Sequence, residues 1–101
     1  LGAITIDQIK SYKFDLSFLG VVGIDLHSGN ITTYDIDDGL TKKQVINSSK
    51  KSYMLAETAK LKLDGNYVFS HIDDFTGIIC EKAVTLQQRE LINKYGLDIL
   101  W

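Results

Sequence analysis

Hydrophobic positions along the chain change period several times, and each change marks an element. Ile6 and Ile9 lie three residues apart behind Thr5 and Asp7, two side chains able to cap a helix, so Thr5 to Tyr12 reads as a short helix. Leu16 to Val22 is a nearly continuous apolar run, rich in β-formers and too short for a helix, that ends at Gly23. It predicts a buried parallel strand. His27-Ser28-Gly29-Asn30 then reads as a turn, because Gly and Asn accept positive φ and Ser can bond its own backbone.

From Asp37 the period lengthens. Asp38, Lys42, Val45, Ile46 and Ser49 fall on one helical stripe, capped by Asp37 or a neighbour, with two charges on the inward side. Ser52 to Ala56 predicts a second strand, followed by the polar segment Glu57 to Lys60. An Asp64-Gly65-Asn66 turn leads to a short strand at Tyr67-Val68-Phe69. Asp73-Asp74 caps the turn before a third buried strand, Phe75 to Cys80. Thr85 caps a helix whose stripe is Gln88, Leu91, Ile92 and Tyr95, Gly96 ends it, and Leu97 to Trp101 forms a last strand. Strand, helix, strand, strand, helix, strand with short connections predicts an α/β fold with an open, mostly parallel sheet flanked by helices.

The chain has 101 residues, enough for one core and too few for two domains. With 45% hydrophobic and 24% charged residues it has the composition of a folded globular domain. A formal net charge of -2 and the lack of any Lys/Arg run argue against nucleic-acid contact by this segment. Cys80 is the only cysteine, which excludes an internal disulfide and any paired-cysteine metal or redox motif and suits a reducing cytoplasm. It lies in an apolar run and is expected to be a buried small hydrophobe. No stretch approaches the ~20 apolar residues of a membrane span and no leader is visible, so neither membrane insertion nor export is expected. The start at Leu1-Gly2, running at once into patterned sequence, suggests a fragment of a longer protein.

Ligands of open α/β sheets bind beyond the carboxyl ends of the strands. That rule selects Gly23 and Asp25 after the first strand, Glu57, Thr58 and Lys60 after the second, and Glu81-Lys82 after the third. Asp38 and Lys42, near the start of their helix, are expected to face the same crevice. A helix N-terminus favours an anion by about 0.3–1 kcal/mol. With Lys42 and Lys60 this points to an anionic ligand such as a phosphate. Asp38 with Lys42 reads equally well as an ordinary i,i+4 pair worth about 0.2–0.5 kcal/mol. His27 and His71 have no metal-ligand spacing, no nucleophile motif is visible, and Gly20 and Gly23 do not make a dinucleotide fingerprint, so no metal or cofactor is expected.

Three stretches carry a family resemblance. Phe14 to Asp25, then Gly29-Asn30-Ile31-Thr32-Thr33, then Leu55-Ala56-Glu57-Thr58-Ala59-Lys60-Leu61 look like the C-terminal sensor domain of DeoR-type repressors, which typically reads D-x-x-F-x-G-x-x-G-I-D, G-x-T-T, E-A-x-x-K and A-D-x-S-K-F in this order. Ile72 to Ile79 resembles the family's I-D-x-L-I-T segment. The resemblance implies a cytoplasmic repressor whose N-terminal winged helix-turn-helix and first sensor half lie outside this chain. It also implies a fold like ribose-5-phosphate isomerase and glucosamine-6-phosphate deaminase, incomplete here, and a phosphorylated sugar as effector. Carried over by motif, Gly23 and Asp25 line the sugar end, Asp38 and Lys42 take the E and K of E-A-x-x-K, and Lys60 takes the K of the S-K motif. Gly39 stands where the family has Ala, Asp38 shortens the Glu, and Glu57 lengthens the Asp.

Three functions follow as expectations. The first is an effector-binding regulatory domain, with DNA reached only through the absent domain and with homo-oligomers formed. The second is a sugar-phosphate isomerase-like enzyme. It is disfavoured because the resemblance aligns Lys42 with the isomerase's catalytic Glu, and a cation cannot shuttle that proton. The third is an oligomerisation module, pairing through sheet edges and the Trp101 strand.

Overall fold

A computed structural model describes residues 3–62 and 65–100. Helix α1 (Ala3–Lys10) leads into strand β1 (Phe14–Gly20), then the short strands β2 (Gly23–Ile24) and β3 (Asn30–Thr33). Helix α2 (Ile36–Asn47) and strand β4 (Ser49–Ala56) follow, then a 3-10 turn at Thr58–Lys62 and strand β5 (Tyr67–His71). A second 3-10 turn (Ile72–Asp74), strand β6 (Gly77–Cys80), helix α3 (Leu86–Asn93) and strand β7 (Asp98–Leu100) complete the order. No helix is long and apolar enough to cross a membrane among the described residues.

The expected parallel sheet is present, in the order β1-β4-β6-β7 with every neighbouring pair parallel. A second, antiparallel sheet, β2-β3-β5, was not expected as a sheet; of its strands the sequence reading foresaw only β5, at Tyr67-Val68-Phe69. The first strand also departs from expectation. It begins at Phe14 rather than Leu16, stops at Gly20, and is an edge strand with Leu16 and Phe18 about half exposed, not a buried one. Its position accounts for this: only β4 pairs with it, and only one of its faces meets the core.

That core face carries Met54 and Ile78, both fully buried, and meets Ile24 and Ile31 of the antiparallel sheet, Ile46 of α2 and Ile92 of α3. Ser17 and Ser52 are buried on the same face and satisfy one another, with the Ser17 hydroxyl donating to Ser52 Oγ at 2.9 Å. The helices end as their caps dictate. Asp35 accepts from the Asp37 and Asp38 amides at the start of α2, while Thr85 and Gln88 form a reciprocal capping box at the start of α3. Gly96, at φ 72°, turns the chain out of α3 toward β7.

Candidate functional site

β3 ends in two threonines that are almost wholly buried, at 1% and 2% exposure. Thr32 Oγ1 accepts from the Gly65 amide at 2.6 Å, which ties the segment after β4 to the antiparallel sheet. Thr33 Oγ1 donates to Asp38 Oδ2 at 3.4 Å and accepts from the Asp35 amide at 3.4 Å. Asp38 Oδ2 also lies 2.9 Å from Lys42 Nζ, with both side chains largely covered. Thr33, Asp38 and Lys42 therefore form one connected group where β3 meets α2. Gly39 makes the close approach possible, because a Cβ there would stand 3.0 Å from Phe69 Cβ and from Thr33 Cγ2. The family's usual Ala is thus replaced at a position where this helix rides tightly on β3 and β5.

The start of α2 differs from the expected anion seat. The Asp35 carboxylate already takes the amides of Asp37 and Asp38, and Asp37 and Asp38 add two more acidic side chains in the first turn. Three carboxylates around that end cancel the partial positive charge of the helix. What that end offers a ligand is carboxylate hydrogen bonding, because the Thr33 hydroxyl is buried and already engaged. The cations of α2 lie further along, at Lys42 and Lys43.

The other nominated residues lie on separate pieces. Gly23 is buried in β2, paired with Thr32, and β2 packs against the 3-10 turn Thr58–Lys62 that carries Lys60. The Lys60 side chain lies outside the described part of that turn. Asp25 is occupied by its own loop: Oδ1 accepts from the His27 amide at 2.9 Å and the Ser28 amide at 3.2 Å. Those two bonds hold its carboxyl below the usual range. The structure therefore joins Asp38 to Lys42 and sets Gly23 beside the Lys60 turn, while Asp25 closes the Asp25–Asn30 turn instead of standing free.

Several residues that sequence reasoning passed over hold these pieces in place. His71 Nε2 lies 2.9 Å from the Ser28 carbonyl, and its Nδ1 accepts from the Asp73 amide at 3.2 Å, so the ring links the Asp25–Asn30 loop to the Ile72–Asp74 turn. The Tyr95 hydroxyl donates to the carbonyls of Leu26 and His27, both at 3.1 Å, anchoring the same loop from the end of α3. Asp74, read as a cap, closes a box with His71. Burial pushes the Asp74 carboxyl up, but the Ser70 hydroxyl and the His71 amide outweigh it and leave the group below its ordinary value. At the ends of β4 and β6, Glu81 accepts from the Thr58 amide at 2.9 Å, which holds its carboxyl low as well. A cleft of about 300 Å³ lies between α2 and β5, lined by Asn30, Lys43, Val68, Phe69, Ser70, His71 and Asp74. None of the five nominated residues lines it. The double threonine was the one available signal for Thr33, and the three-residue spacing from Asp35 to Asp38 the signal for the cap.

Residues 1–82 match the family described as the DeoR C terminal sensor domain. The chain is 27% identical over 99 residues to the HTH-type transcriptional repressor GlcR of Bacillus subtilis, covering 98% of this chain and 38% of that protein. It is 34% identical over 91 residues to the uncharacterized HTH-type transcriptional regulator FruR of the same organism, covering 90% and 34%. It is 26% identical over 88 residues to the glycerol-3-phosphate regulon repressor of Haemophilus influenzae, covering 83% and 34%. The chain thus spans little more than a third of the length of the relatives it matches.

Proposed function

The chain belongs to the family of DeoR C-terminal sensor domains, and from that premise we propose that it is the effector-sensing portion of a sugar-responsive transcription repressor, with a phosphorylated sugar as effector. DNA contact belongs to a helix-turn-helix domain outside this chain, as the names of the HTH-type relatives suggest. The net charge of -2 fits that division of labour. The reading places the protein in the cytoplasm as a homo-oligomer that catalyses nothing.

The observation that carries this reading is the Thr33–Asp38–Lys42 group at the junction of β3 and α2, on the family's own T-T and E-A-x-x-K motifs. The Asp38 carboxylate, held in place by the buried Thr33 hydroxyl, suits the hydroxyls of a sugar. Lys42, with the Lys60 turn beside Gly23, supplies cations toward the phosphate. Asp38, the family motif's acid, is paired with Lys42 at 2.9 Å, which favours a role in holding a ligand over one in abstracting a proton and supports sensing over isomerisation. An effector that binds one conformation better than another needs only about 1–3 kcal/mol of differential affinity to shift DNA binding.

The test is thermal shift of the full-length protein against a panel of hexose and pentose phosphates, with Lys42→Ala and Lys60→Ala as controls. One sugar phosphate is expected to raise the melting temperature, and both substitutions to reduce the shift. Stabilisation by none of the panel, or stabilisation indifferent to both substitutions, overturns the assignment. Turnover of ribose 5-phosphate that is lost on Asp25→Asn would replace it with the enzyme reading.

A further inference from the structure

The β4–β6 ladder ends at the pair Ala56–Cys80, and the two chains then part. β4 runs through Glu57 into the 3-10 turn Thr58–Lys62, whose first amide has no acceptor inside the turn. Glu81, the first residue beyond β6, takes that amide: its Oε1 and Oε2 lie 2.9 and 3.3 Å from the Thr58 nitrogen. A carboxylate acceptor makes this bond stronger than one between uncharged groups. Within the turn, Leu61 is buried in the core. Past the turn, the Gly65 amide donates to Thr32 Oγ1 at 2.6 Å. A Cβ at Gly65 would stand 2.7 Å from the Thr33 carbonyl oxygen, so a side chain there would collide with the backbone of β3. The segment that carries Lys60 is thus held at three points, and its exit lies against Thr33, a member of the Thr33–Asp38–Lys42 group.

Glu81 is exposed, and an exposed carboxylate beside a turn that serves an anion opposes that anion by its charge. Its place is explained by the amide it holds. We propose that Glu81 is a positioning residue for Lys60: its carboxylate fixes the entry of the turn, and with it the backbone from which Lys60 serves an anionic ligand. Thr32 does the same at the exit. The proposal rests on the reading of Lys60 as a cation for the effector's phosphate, while the clamp itself is a matter of backbone geometry. Charge and clamp predict opposite signs. Removing a carboxylate near an anion seat strengthens anion binding by electrostatics alone, whereas removing a clamp weakens it.

The test uses the full-length protein, with inorganic phosphate as the probe. Hydrogen exchange without phosphate reads the clamp: Glu81→Ala speeds exchange of residues 58–62 about tenfold, while the amides of β4 and β6 keep their protection. Phosphate titration reads the consequence. Glu81→Ala weakens binding about three- to tenfold, and Glu81→Gln, which keeps an acceptor without the charge, restores most of the loss. In a Lys60→Ala background Glu81→Ala changes phosphate affinity no further. Exchange unchanged by Glu81→Ala overturns the clamp. Faster exchange with phosphate affinity that is unchanged or raised, or a loss of equal size with and without Lys60, overturns the positioning role. Failure of phosphate to bind the unaltered protein overturns the reading of Lys60 as a phosphate cation and the positioning role with it, and the exchange result still decides the clamp by itself.

Discussion

Gly29→Ala offers a close test of how the Asp25–Asn30 loop is held. Gly29 has φ 81° and Gly96 has φ 72°, so an alanine at either position suffers the same backbone penalty. That penalty is about 1–2 kcal/mol for a residue with a Cβ. Reduced freedom of the unfolded chain returns about 0.4–1 kcal/mol of it. Around Gly96 no atom lies within 4 Å of the added Cβ, so Gly96→Ala is expected to cost under about 1 kcal/mol. At Gly29 the Cβ would overlap the His71 ring, nearest to Nε2, with Cε1 at 2.6 Å. The ring must swing away, losing its contact with the Ser28 carbonyl and its cap on the Asp73 amide. At about 1 kcal/mol for each of those hydrogen bonds, Gly29→Ala is expected to cost about 2–3 kcal/mol in all. Urea unfolding at neutral pH measures both variants. In the double variant Gly29→Ala/His71→Ala the clash disappears and the two His71 hydrogen bonds are lost once rather than twice, so its cost falls short of the sum of the single costs by about 2 kcal/mol. Equal costs for Gly29→Ala and Gly96→Ala, or strict additivity in the cycle, would refute the reasoning.

Three further outcomes are expected. Ser17→Ala strands the Ser52 hydroxyl in a site that is 3% exposed and costs about 1–2 kcal/mol, whereas Ser17→Ala/Ser52→Ala recovers part of it; urea titrations that rank the double variant below the single one contradict this. Asp25 and Asp74 have carboxyl groups below their ordinary value of 3.8 in the folded chain, so the unfolded chain binds more protons on acidification. The stability they contribute is full above that value and is lost as pH falls through their lower folded values; Asp74→Asn should flatten this acid limb in urea titrations at stepped pH. Cys80 is 4% exposed and burial pushes its thiol up, so a disulfide reagent should label it only as fast as the chain opens, and prompt labelling of the native protein would contradict its place in the core.

What could be read from the sequence was what repeats within a short window. Thr85 to Gly96 carries a cap, a stripe and a terminator within twelve positions, and α3 formed there. Asp38 and Lys42 were visible as neighbours because four residues bring side chains together on any helix. The antiparallel sheet was hidden because β2 has two residues and β3 four, too few for a period, and because β3 finds β5 some forty residues away. The roles of His71 and Tyr95 were hidden for the same reason: their bonds to the Asp25–Asn30 loop span 43 and 69 residues. The burial expected of β1 was wrong because composition gives no sign of which strand will stand at an edge. Asp25 looked available because its own backbone neighbours, His27 and Ser28, fix it through loop geometry that residue types alone do not set.

The uniform direction of the strand order bears on where a crevice can form. Ligand clefts in open α/β sheets arise at a switch point, where the order reverses and adjacent connections leave for opposite faces. β1-β4-β6-β7 contains no reversal. Of the two outer edges, β1 is the one whose carboxyl end at Gly20 runs on to Gly23 and β2, beside the Lys60 turn. A strand laid along β1 and connected over the opposite face would create the reversal there and open a cleft onto that turn. Seating such a strand and binding the effector would then be thermodynamically linked, each tightening the other by the same factor.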